Sequence, residues 1–252
     1  MLPNKLKPDG LYKLIRVGKD NDGGYLICEN SLKNSNILIS FGISDDFSFE
    51  RHFQTINDID IFAYDPSVNL NFFLKRFLHS LIKLNLKLFF KQFLNWINFK
   101  IFFNKSKNKL ILKKIGKGGG AFYDHISIED IISQNDPNKK IFFKIDIEGS
   151  EYRILDDLIK FMDRTEGLAV EFHDVDINIE RILSFISKYN LKLIHIHANN
   201  WATYGLNNIP SSIELTFSKN PVLLNKNLSL PHVLDQKNNP DVDEINLIFS
   251  EN

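Results

Sequence analysis

Five side chains in the second half of the chain could carry proton or metal chemistry. Lys144, Asp146 and Glu148 stand in the run Ile-Phe-Phe-Lys-Ile-Asp-Ile-Glu-Gly-Ser-Glu over residues 141–151, His173 ends Gly-Leu-Ala-Val-Glu-Phe-His over 167–173, and His197 lies in Leu-Lys-Leu-Ile-His-Ile-His-Ala over 191–198. Carboxylates beside imidazoles suit a general-base site, in which a neutral histidine, His173 or His197, takes the proton of an alcohol. They also suit an oxygen and nitrogen shell for magnesium or manganese, with Asp146, Glu148 and His173 as ligands and His197 as the base. There the ion would lower the pKa of a bound hydroxyl. A third arrangement needs no metal, because Lys144 or an arginine can neutralise Asp146 as an ion pair. Any one of these histidines alone reads as a hydrogen-bonded core residue. Three polar segment ends in succession are a stronger signal.

Strands must aim such groups. Residues 141–147 read as a buried parallel strand, near-continuously apolar. Its period of two puts Lys144 and Asp146 on one face and Ile145 and Ile147 on the other. The same period pairs Glu171 with His173, and His195 with His197. Neighbouring strands lie ~4.8 Å apart, so successive tips can meet over one small volume. The carboxyl ends of the strands are also where open α/β sheets bind ligands. Gly149 permits a tight turn before the helical pattern that starts at Glu151, and Ile213–Phe217 reads as a closing strand.

A second set of residues points to a nucleoside. Residues 37–50 read as strand, glycine turn and helix, with Ser and Asp side chains to cap the helix. Only Gly42 is present, so the three-glycine dinucleotide fingerprint is missing and a nicotinamide site is disfavoured. One glycine turn is enough for adenosylmethionine, which has no pyrophosphate to cradle. About 20 residues further on, Asp65 ends the next strand, where an acid can accept from both ribose hydroxyls. Residues 12–28, two β-like segments around an Asp-Asn-Asp-Gly-Gly turn, read as a surface hairpin.

From Asn69 to about Asn104 the chain is dense in Phe, Leu, Ile and Lys at helical spacing, with a basic row at Lys83, Lys87 and Lys91. Helices packed on the sheet are the expectation, against a membrane-surface role. Lys105–Lys117 reads as a basic strand-like stretch, Gly118–Gly120 as a loop near ligand, and Ser127 as a helix cap. Equal numbers of Lys+Arg and Asp+Glu, 31 each, remove any global argument for nucleic acid. The single Cys28 rules out an internal disulfide or a cysteine zinc cluster, which fits a reducing cytoplasm. The N-terminus lacks a signal-peptide core, and no stretch has the apolar length of a membrane span. A soluble, cytoplasmic, single-domain protein is expected over 1–252.

Lys-Ile-Asp-Ile-Glu-Gly-Ser-Glu-Tyr-Arg-Ile-Leu, ending at Leu155, resembles the signature block of FkbM-type methyltransferases. Supporting similarity covers the Asp20–Tyr25 turn, the Ser40–Glu50 loop and the Asp65 strand end; residues 70–115 depart from it. The resemblance implies a Rossmann-like class I methyltransferase sheet, with helices on both faces and a helical insertion at about 70–115. It also implies S-adenosylmethionine as cofactor, held by Asp22, Gly23, Ser40, Phe41, Gly42, Asp45, Asp65 and Asp124, with Asp146 near the transferring methyl. Transfer to a sugar hydroxyl follows as the expected reaction. A nucleotide sugar for capsule or other bacterial surface polysaccharide is the expected substrate, with a homodimer as the expected assembly. The rival is a non-catalytic carbohydrate or membrane-surface binding module on the same scaffold.

Overall fold

Alternation along the strands sorts the core into two layers. Ile37, Ile39, Phe41, Phe143, Ile145, Val170 and Phe172 face one side, while Leu38, Phe142 and Ala169 face the other. The structure, a computed structural model, describes residues 1–116 and 124–250. Seven strands form its central sheet: β1 (Ile37–Phe41), β2 (Asp60–Tyr64), β3 (Asn108–Ile111), β4 (Ile141–Ile145), β5 (Thr165–His173), β6 (Lys192–Ala198) and β7 (Ser212–Ser218). Their spatial order is β6-β7-β5-β4-β1-β2-β3. The pairs from β5 through β3 are parallel, and β7 runs antiparallel to both of its neighbours. This is the doubly wound 3-2-1-4-5-6 order with an antiparallel seventh strand between the fifth and sixth.

Helices cover both faces. α1 (Glu29–Asn34), α2 (Ser48–Ile56), α3 (Leu70–Ile82) and α4 (Leu86–Phe103) precede β3, and α5 (Ile128–Ser133), α6 (Leu155–Lys160) and α7 (Val175–Lys188) follow it. Phe49 and Phe53 of α2 meet Phe142 ring to ring on one side, and Phe185 of α7 meets Phe172 and Phe217 on the other. Each such buried ring contributes on the order of 2 kcal/mol. Ser127 caps α5 in a reciprocal capping box with Asp130, as its spacing predicts. At α2 no residue caps from the N-cap position itself; the Asp46 carboxylate, one residue earlier, accepts from the Ser48 N–H at 3.0 Å.

Three expectations change in detail, and a fourth is not reached. The helical excursion ends at Phe103, because Asn108–Ile111 pairs with β2 and is the edge strand of the main sheet. The hairpin of Ile15–Val17 with Tyr25–Ile27 is buried rather than superficial on its second strand, where Tyr25, Leu26 and Ile27 are almost fully covered. The pattern after Gly149 opens with a single 3₁₀ turn, Glu151–Arg153, before α6. The reading of Gly118–Gly120 lies outside the described residues.

Candidate active site

The ends of β1 and β4 approach so closely that one turn must be a glycine. Gly42 has φ +71°, and a Cβ built there would stand 1.6 Å from the Asp146 carbonyl oxygen. From this contact a cleft of about 610 Å³ opens, walled by Asp22 and Gly23 of the hairpin turn, by Gly42–Asp46, by Asp65–Ser67 and by Lys144–Glu148. A second cleft of about 400 Å³ shares Asp22, Asp146 and Glu148 with the first and continues to Glu171, His173, Asn199 and Trp201. Asp146 therefore stands at the junction of two adjoining spaces.

Five of the eight expected cofactor residues line the larger cleft: Asp22, Gly23, Gly42, Asp45 and Asp65. The other three do not. Ser40 is fully buried and donates from its hydroxyl to Glu50, while Phe41 packs in the core against Tyr64 and Phe143. Asp124 is exposed and uses its backbone carbonyl to accept from the Lys114 N–H. β1 is covered on both faces, so the alternating side chains at 40 and 41 are both buried, and the wall is built from Ile43, Ser44 and Asp46 beyond the turn.

Asp65 also does more than wait for a ribose. Its Oδ2 accepts from the Ile43 and Ser44 N–H groups at 3.1 and 2.9 Å, and its Oδ1 from the Ser67 N–H and hydroxyl. The carboxylate fastens the glycine loop to the end of β2. Asp45 is held in turn by Arg76 of α3 at 2.8 Å and by Asn95 of α4, so the helical hairpin braces the same loop. Glu50, which the sequence reading passed over, lies buried in the cleft wall. Its Oε2 has no hydrogen-bond partner among the described residues, and burial pushes its carboxyl up. A buried acceptor left open in this way suits an ammonium such as that of the methionine moiety.

At the junction, Lys144 Nζ donates to the Gly42 carbonyl at 2.8 Å and to Asp146 Oδ2 at 3.3 Å. Burial works against the lysine's charge, but Asp146 and Glu50 more than offset it and hold its pKa above the usual value. The Tyr25 hydroxyl lies 3.2 Å from the same Oδ2 and 3.4 Å from Glu171 Oε2. Asp146 Oδ1 has no hydrogen-bond partner among the described residues.

His173 is enclosed by acids. Its Nδ1 lies 3.1 Å from Glu151 Oε1, and its Nε2 lies 3.4 Å from Glu148 and 3.6 Å from Glu171. Burial alone would depress its pKa, yet the Glu151 hydrogen bond and the Glu171 charge raise it to about 9. The surrounding acids favour its imidazolium form. Glu171 is itself buried and accepts from Asn199 and Ser212 at 2.7 Å each; burial and the Asp146 charge push it up. Glu151, fully buried, also accepts from the Ile147 and Gly149 N–H groups, so one oxygen ties the turn after β4 to His173. The sequence reading put Glu151 at a helix start and Glu171 merely on a face. An acid two residues beyond the strand-end glycine was the available signal for the first.

His197 does not join this group. β7 intervenes between β5 and β6, so the end of β6 reaches the cluster only through Asn199, which donates to Glu171, and His197 lines neither cleft. It is buried between Glu214 at 3.4 Å and Glu244 at 2.7 Å. Burial opposes its charge, but the two glutamates raise its pKa to about 10, from an ordinary 6.5. A group raised in the folded state stabilises fully below its unfolded pKa and loses that contribution as pH climbs through the folded value. Thermal stability should therefore decline between about pH 6.5 and 10. In His197→Gln the decline should be smaller, by on the order of a few kcal/mol. Parallel declines in melting curves of both proteins would show that His197 is not held as an ion pair.

The strand order, the glycine turn and the cleft at the carboxyl ends together define the Rossmann-like fold of class I, adenosylmethionine-dependent methyltransferases. No family model matches the chain, and no curated protein matches it. Among solved structures it is similar to an rRNA methylase from Streptococcus thermophilus, at 12% sequence identity, covering 76% of this chain and 93% of that chain with a TM-score of 0.40. It is also similar to precorrin-6y C5,15-methyltransferase from Geobacter metallireducens GS-15, at 10% identity, covering 76% of this chain and 85% of that chain with a TM-score of 0.42.

Proposed function

We propose that the protein is an adenosylmethionine-dependent O-methyltransferase acting on a sugar hydroxyl, the sugar being carried as a nucleotide sugar for bacterial surface polysaccharide. The observation that carries this reading is Asp146, which lines both clefts and keeps Oδ1 open at their junction. The larger cleft takes the cofactor, with Glu50 and Asp22 toward its ammonium group and the backbone at Gly42 against the methionine portion. The smaller cleft takes the acceptor. Asp146 Oδ1 accepts the hydrogen bond of the acceptor hydroxyl. As the oxygen attacks the methyl carbon, the carbon–sulfur bond breaks, its electron pair stays on sulfur, and the hydroxyl proton passes to Asp146. Lys144 and His173, whose charged form its acids favour, balance the surrounding carboxylates, which leaves Asp146 as the base in this reading. The choice of oxygen and of a sugar rests on the FkbM-type resemblance of residues 141–155.

A second reading, in which a divalent ion assists, is favoured by one observation: ligand atoms of Asp146, Glu171 and His173 all lie within 4.8 Å of one another. Glu171 takes the place expected for Glu148, which is 86% exposed in its side chain. Glu151 on Nδ1 orients the ring so that Nε2, once it has lost its proton, would ligate, as the outer shell of a metal-bound histidine does. Manganese or magnesium held by these three would lower the pKa of the acceptor hydroxyl. Lys144 on Asp146 favours the metal-free form.

Calorimetry on the full chain tests both readings. Adenosylmethionine and adenosylhomocysteine should bind with micromolar to submicromolar affinity, and transfer to nucleotide sugars should survive exhaustive chelation. Absence of heat with either compound at millimolar concentration would overturn the enzyme reading in favour of a binding module. Activity lost to a chelator and restored by manganese would establish the metal-assisted form.

A further inference from the structure

Between Asp65 and Asp124 the chain carries twelve Lys and Arg side chains and not one Asp or Glu, so the rest of this neutral chain is correspondingly acidic. The helices α3 and α4 occupy most of that stretch. Their inner sides are consumed by aromatic packing, in which Phe77 meets Phe89, Phe93 and Trp96, and Phe73 meets Phe99 of the core. What remains outside is apolar too. Leu74, Leu78 and Ile82 on α3, and Leu86, Phe90 and Leu94 on α4, recur every four residues, and each is more than two-fifths exposed. Exposure is greatest where the helices meet, reaching 80% at Ile82 and 88% at Leu84. Lys83, Lys87 and Lys91 stand beside these positions at the same spacing. Patches of this extent on a monomer mark an interaction surface.

We propose that the α3–α4 hairpin docks this protein on an anionic membrane surface, the aliphatic tip entering the headgroup boundary and the lysines meeting lipid phosphates. Both halves of the surface then find a partner: the leucines leave water, and the cations gain counter-charges. A second copy of the chain across a two-fold axis would bring the same lysine row against itself. A nucleic acid would serve the lysines but leave the aliphatic tip in water. The hairpin is too short and too charged to span the bilayer, and no helix among the described residues is long and apolar enough to cross a membrane. Through Arg76 and Asn95 the docked element grips Asp45 at the larger cleft, which would hold that cleft beside the membrane surface.

Sedimentation of the full chain with vesicles tests this without cofactor or acceptor, so its failure would leave the methyltransferase reading standing. The protein should pellet with vesicles containing phosphatidylglycerol, hardly with pure phosphatidylcholine, and be released by salt. Each lysine lost in Lys83→Gln, Lys87→Gln and Lys91→Gln should weaken partitioning about fivefold. The pair Ile82→Ser and Phe90→Ser should weaken it about tenfold or more. These positions are exposed, and unchanged melting will confirm that the variants fold. Equal binding to neutral and anionic vesicles, or serine variants that bind like the parent, would overturn the proposal. So would a self-association in ultracentrifugation that the serine pair abolishes while vesicles bind nothing, or RNA binding that the serine pair leaves intact while vesicles bind nothing.

Discussion

Asp146→Asn is expected to reduce methyl transfer by on the order of 10³-fold while adenosylhomocysteine binding stays near that of the parent. The amide keeps the size and planar shape of the carboxylate, so the cleft walls at Gly42, Asp65 and Glu50 should stand. It cannot take up the acceptor's proton at neutral pH, and it leaves Lys144 without the charge that now lies 3.3 Å away. Single-turnover methylation and calorimetry on one preparation separate the effects. A parent-like rate would remove Asp146 from the chemistry, and loss of adenosylhomocysteine binding with the rate would make it a cofactor ligand instead.

Among the described glycines, Gly42 has the tightest surroundings, and Gly42→Ala should be strongly damaging. Its φ of +71° costs an L-residue ~1–2 kcal/mol. The added methyl carbon would then sit 1.6 Å from the Asp146 carbonyl, a backbone atom that cannot step aside as a side chain could. Relief requires the ends of β1 and β4 to part, disturbing the bond from Asp146 N–H to the Phe41 carbonyl and that from Lys144 Nζ to the Gly42 carbonyl. A loss of ~3 kcal/mol or more is expected from backbone strain and overpacking together, with a fall in melting temperature of roughly 10 °C. Cofactor affinity should fall with it. A variant that melts and binds adenosylhomocysteine like the parent would mean that the two tips do not approach so closely.

Period and punctuation carried most of the fold. The apolar runs at 37–41, 141–145 and 167–173, each ending at a polar tip, are legible as strands because they are short and rich in β-branched and aromatic residues, with turn residues beyond their ends. Lys105–Lys117 was legible as strand-like, but not that Asn108–Ile111 within it forms the edge of the main sheet. An edge strand needs only one covered face, and Lys107 and Lys109 blur its limits. Long-range neighbours were the larger gap. Nothing local reveals that β7 enters the sheet between β5 and β6, and that one insertion removes His197 from the tip cluster and gives it to Glu214 and Glu244. Tyr25 was hidden for the same reason, since a glycine-rich turn reads alike whether its strand lies over solvent or over Glu171. Asp146 and Gly42 could be placed at one cleft from sequence because both stand at strand ends.

The grip of Arg76 and Asn95 on Asp45 makes the outer hairpin and the cofactor loop parts of one mechanical unit. Thermodynamic linkage then fixes a symmetry between them: by whatever factor a bilayer under α3 and α4 changes affinity for the methyl donor, the donor must change affinity for the bilayer by the same factor. Donor and spent donor differ by one methyl group and one positive charge at sulfur. Under these two proposals, any difference in how donor and spent donor settle the Asp45 loop would appear as a difference in affinity for the surface.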